Sequence, residues 1–104
     1  MVQVMLFSRN GQLCGFRMKG HAGGEAGRDI VCAAISSAAL LAANTVTDVC
    51  GCHAATRMRD GYLLFSVVSG DVARAAEVLE GLQLHLMELR RQYPKRLYLD
   101  LLEI

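Results

Sequence analysis

The chain has 104 residues, 53% of them hydrophobic, and a formal net charge of +1. That length suits one domain with one core spanning 1–104, and the apolar share excludes a disordered chain. The near-neutral charge excludes a globally basic nucleic-acid binder.

Met1 to Phe7 is apolar but lacks the basic start, length and small-residue cleavage site of a secretory leader. The longest apolar run, Ile30 to Val46, is broken by Ser36, Ser37, Asn44 and Thr45 and is short for a membrane span. A cytoplasmic protein without a membrane partner is the expectation, with its four cysteines as free thiols.

Val2, Val4 and Leu6 alternate with Met5 and Phe7, which predicts a first strand over Met1 to Ser8. Asn10-Gly11 is a hairpin turn, because both residues accept positive φ. Leu13 to Lys19 returns as a second strand. Phe16 and Met18 face the core, and Leu13, Gly15 and Arg17 face the other side. A glycine-punctuated loop runs from Gly20 to Arg28. Asp29 is placed to cap a helix that continues to about Val49. That helix is apolar nearly all round, which predicts cover on most sides, one of them by a neighbouring element or a second subunit.

Gly51 ends the helix as its C′ residue. His53 to Arg59 and Tyr62 to Val68 form a second hairpin about Asp60-Gly61, with Leu63, Phe65 and Val67 on one face. Asp71 caps a second helix, Val72 to about Tyr93. Its stripe is Val72, Ala75, Ala76, Leu79, Leu82, Leu86, Leu89 and Tyr93. Pro94 stops it, and Arg96 to Ile104 is a last strand. The order ββαββαβ is an α+β two-layer sandwich: a mostly antiparallel sheet of about five strands under two long helices.

The chemistry concentrates between Gly20 and Ser36. With Asp29 as cap, Cys32 stands third in the helix, where unpaired amides and the helix dipole favour a thiolate. The same amides can donate to an oxyanion. His21 lies across the loop and can pair with the thiolate if the loop folds back, then protonate a leaving amine. Asp29 can serve as cap or as the group that orients the imidazole, and spacing leaves both open. Ser36 follows Cys32 by one turn and shares its face. Against this stands Cys32 as an ordinary core thiol in an apolar helix.

Cys50, Cys52 and His53, with Cys14, are weighed as zinc ligands and set aside, because a single glycine between two cysteines is poor spacing. No metal and no cofactor are expected. Arg57 and Arg59, and the group Arg90, Arg91, Lys95 and Arg96, read as a solvated strand face and as helix-end cations. Direct nucleic-acid binding is not expected, and His85 reads as a surface residue.

The block Gly20-His21, a glycine-rich loop, then Asp29-Ile30-Val31-Cys32-Ala33-Ala34-Ile35-Ser36 resembles the signature of the ribosomal-processing cysteine protease family. The resemblance extends to the length, the hairpin start, Asp60-Gly61-Tyr62 and the second helix. It implies a catalytic dyad of His21 and Cys32, supported by Asp29, Gly20 and Ser36. It also implies that the loop Ala22, Gly23, Gly24, Glu25, Ala26, Gly27 and Arg28 moves to admit substrate. The family's members are small cytoplasmic homodimers. Their substrate is the precursor of protein number twenty-seven of the large ribosomal subunit, which loses a short N-terminal extension. The competing reading is a non-catalytic, dimeric, ribosome-associated structural module with Cys32 in its core.

Overall fold

The computed structural model describes residues 1–21 and 29–104. Strands β1 (Val2–Arg9) and β2 (Gln12–Lys19) precede helix α1 (Ile30–Asn44) and a π-helical turn (Thr45–Val49). Strands β3 (His53–Arg59) and β4 (Tyr62–Ser69), helix α2 (Val72–Gln92) and strand β5 (Leu97–Glu103) follow. The predicted order ββαββαβ and the two-layer α+β sandwich are what the chain adopts. The five strands run β3-β4-β2-β1-β5 across the sheet. Every pairing is antiparallel except the parallel one between β1 and β5.

Alternation explains the layers. Val2, Val4, Leu6, Phe16, Met18, Leu63, Phe65 and Val67 are buried, and they join Val31, Ile35 and Ala39 of α1 and Leu79, Leu82 and Leu86 of α2 in one cluster. Phe16 and Phe65 are opposite each other across β2 and β4, with ring centroids 5.5 Å apart. Stacking there adds to the area they bury.

Leu13 departs from expectation. It is buried on the same side as Phe16, because Phe7 pairs with Gly15 while Ser8 pairs with Leu13. Cys14 is therefore the extra residue of a β-bulge, which resets the inside–outside alternation by one position.

The first helix reaches Val49 as expected, but its last turn is not α-helical. Its α-helical part stops at Asn44, and the Cys50 amide donates to Thr45 O at 2.9 Å. Thr45 and Thr47 turn their hydroxyls back onto Leu41 O and Ala43 O, competition that loosens the regular ladder there. The expected cover is one-sided within the chain: Ile30 is 73% and Leu41 70% exposed. By length and hydropathy, Ile30–Val49 passes as a membrane span. Its Val31, Ile35, Ala39 and Val46 are nevertheless packed in the core.

In α2 the predicted stripe holds from Ala75 to Leu89, while Val72, at the helix start, is half exposed.

Candidate active site

Each long helix begins on an aspartate. Asp29 has extended backbone (φ −81°, ψ 92°), and its Oδ1 accepts the Cys32 N–H at 2.9 Å. Its carbonyl accepts the Ala33 N–H at 3.0 Å. Oδ1 of the carboxylate thus caps the helix, the first of the two parts weighed for it. The Cys32 amide is engaged by this bond, so the expected set of oxyanion donors at the helix end does not include it here.

His21 follows the end of β2. The Gly20 N–H donates to Gly61 O at 2.9 Å, which ties the histidine's approach to the β3–β4 turn. The amino group of Met1 donates to His21 O. The imidazole lies against Gly61: a Cβ built on that glycine would stand 3.0 Å from His21 Nε2.

One cleft of about 230 Å³ receives these residues. Gly20, His21, Cys32 and Ser36 line it, with Lys19, Val2, Met18 and Leu40, and with Met58 to Leu63 from the second hairpin. Cys32 and Ser36 are half buried and His21 is exposed, so thiol, hydroxyl and imidazole face a space that solvent reaches. Asp29 is joined to Cys32, the candidate nucleophile, by its bond to the Cys32 amide. The predicted gate, residues 22–28, lies outside the described residues.

A thiol and an imidazole on one cleft can supply a nucleophile and a proton carrier. The methionine and leucine side chains offer apolar wall to an extended peptide. The sequence reading did not include this second-hairpin wall. Asp60-Gly61 marked a turn, but its place over His21 depends on the long-range pairing of Lys19 with Tyr62.

The other thiols are elsewhere. Cys52 is buried, and its Sγ donates to Asp71 O at 3.5 Å. Burial pushes the Cys14 thiol up; Arg9 opposes this and Glu103 adds to it. Among the described residues, no three His, Cys, Asp or Glu side chains cluster as a metal site would require. Arg57 and Arg59 sit on the sheet face away from the helices, and the Arg59 guanidinium lies 4.4 Å from the centre of the Tyr62 ring.

A small α+β domain that presents a helix-end thiol and an imidazole to one open cleft has the build of a thiol-dependent hydrolase. The chain belongs to the family described as cysteine protease Prp, whose family model matches residues 1–98. It is therefore a cysteine protease.

Solved structures share its fold. An essential ribosomal processing protease Prp from S. aureus, with a covalently linked product peptide, has a TM-score of 0.90. It is 24% identical, and the match covers 98% of this chain and 100% of that one. The S. aureus protease with a substrate peptide gives a TM-score of 0.86 at 23% identity, with coverage of 98% and 100%. A Streptococcus mutans protein gives 0.83 at 26% identity, with coverage of 100% and 96%. Among curated proteins, none matches the sequence.

Proposed function

We propose that this cysteine protease removes a short N-terminal extension from a large-subunit ribosomal protein, number twenty-seven, with Cys32 and His21 as its dyad. The observation that carries the reading is the single cleft that His21, Cys32 and Ser36 line. Support for the substrate comes from the fold relative, an S. aureus ribosomal processing protease solved with peptides.

Cys32 Sγ, as thiolate, attacks the scissile carbonyl, and the tetrahedral oxyanion is held by amide donors other than that of Cys32. His21 as imidazolium gives its proton to the departing amine. Water, deprotonated by the neutral imidazole, then hydrolyses the thioester and frees the thiol. Asp29 holds the helix end beneath the nucleophile, Gly20 sets the course of the chain into His21, and Ser36 supports the cleft wall one turn from Cys32. Residues 22–28 gate substrate entry.

The working form is a cytoplasmic homodimer without cofactor, membrane or direct nucleic-acid contact. The exposed Ile30 and Leu41 on α1 support the dimer, since apolar residues of this size are the kind a second copy covers.

The test is incubation with the precursor ribosomal protein, followed by mass analysis of its N-terminus. A shortened product with the wild-type chain and intact precursor with Cys32→Ala is the expected pair of results. Intact precursor in both would overturn the substrate assignment and send the protease to another protein.

A further inference from the structure

We infer that Gly61 is a positioning residue for catalysis: its missing side chain is the seat of the His21 imidazole. The inference rests on the His21–Cys32 reading and adds a residue that reading does not contain.

Three observations meet at this turn. Gly61 has φ +68°, a conformation that side chains disfavour. Its carbonyl accepts the Gly20 N–H at 2.9 Å, which fixes the β3–β4 turn against the residue before His21. A Cβ at this position would lie 3.0 Å from His21 Nε2, 3.5 Å from Cε1 and 3.8 Å from Cδ2. The glycine therefore meets the Nε2 edge of the ring, one of the two positions at which an imidazole binds a proton. One added methyl displaces that edge. Misplacement of a catalytic group by fractions of an ångström to an ångström slows turnover more than it weakens binding.

The fold supplies a matched control. Gly51 has φ +69°, almost the same backbone, yet a Cβ there meets nothing within 4 Å. Gly51→Ala thus reports backbone strain alone, whereas Gly61→Ala reports the same strain plus the push on the imidazole.

Both variants, with the wild type, are assayed for peptide cleavage across pH and for the ring resonances of His21 by NMR. The two melting temperatures should fall by similar amounts. Gly61→Ala should lower kcat about tenfold or more with KM little changed, while Gly51→Ala stays within about twofold of wild type. The acid limb of the Gly61→Ala pH profile should move, and its His21 resonances should shift while those of His53 and His85 stay in place.

Equal activity in the two variants with unmoved His21 resonances overturns the inference. If the wild type cleaves no peptide, the dyad reading fails, and the His21 resonances still decide the seating. Should Gly61→Ala fail to fold, it is made in His21→Ala, where the obstructing ring is gone. Folding there supports the seat, and failure there places the cost of Gly61→Ala in the backbone and overturns it.

Discussion

Each half of the chain is a hairpin, a glycine at positive φ, an aspartate cap and a long helix. In the second half Gly70 (φ 115°) is followed directly by Asp71, whose Oδ1 accepts the Arg74 N–H at 3.1 Å. In the first half Gly20 (φ 97°) and Asp29 play the same parts, with Cys32 where the second half has Arg74. The difference is what lies between glycine and cap: nothing in the second half, residues 21–28 in the first. The end of a capped helix with its aligned amides therefore occurs twice in this molecule. The first half adds a cysteine at the third helical position and, in the inserted stretch, a histidine. The second half contributes through its hairpin turn, which crosses to wall the cleft.

Substitutions at matched positions break this comparison most sharply at the proposed nucleophile. Cys32→Ala should lower cleavage about a thousandfold or more, as loss of a nucleophile does. Arg74→Ala should leave it unchanged. His21→Ala should lose on the order of a hundred- to ten-thousandfold, the usual contribution of a general acid–base. Turnover retained in Cys32→Ala, read by product mass, would remove the assigned nucleophile.

The caps come next. Asp29→Ala and Asp71→Ala should each cost about 1 kcal/mol or more in denaturant unfolding, because each loses its bond to a helix-end amide. Only Asp29→Ala should also slow cleavage, by less than His21→Ala does. A cleavage defect in Asp71→Ala would mean that the halves are coupled beyond this account.

The smallest effect concerns the helix ends. The last turn of α1 has no basic residue, whereas that of α2 has Arg90 and Arg91. Hydrogen bonds from Arg91 and Gln92 hold the Glu88 carboxyl down at about 2. A folded-state value below the unfolded one gives stability that is present above the ordinary carboxylate range, near 4.5, and lost as pH falls to about 2. The pair is in water, so Glu88→Gln should barely move the melting temperature at neutral pH. Any difference from wild type should disappear in strong acid. A large drop at neutral pH would show that this helix end matters more than its exposure implies.

The periodicity of the chain was enough to read both hairpins, both caps and the two-layer class. Local patterns carry that information because hairpins and caps form between near neighbours. Periodicity allowed His21 to meet Cys32 only if the loop folded back, and the family resemblance supplied that pairing; the structure brings both, with Ser36, to one cleft. Three things did not show in that periodicity. The bulge at Cys14 arises from pairing with β1, and it moved Leu13 to the core. The π-turn at Thr45 follows from hydroxyls that bond back to the helix, a competition that apolar periodicity does not register. The strand order, and with it the place of Asp60-Gly61 over His21, depends on β2 meeting β4 across the whole first helix.

The parallel bond of β5 to β1 has a consequence for how the molecule is made. Val2 is paired with Leu97, and the Ser8 hydroxyl reaches Glu103. During translation the first strand emerges well before its outer neighbour, with both helices and the second hairpin made in between. Until then the nascent chain carries an open edge of unpaired amides and carbonyls, the kind of edge that recruits other chains. A product ending at Gln92 would keep both hairpins and both helices and leave that edge open for good. Premature termination ahead of β5 should therefore yield aggregates rather than a slightly weakened enzyme.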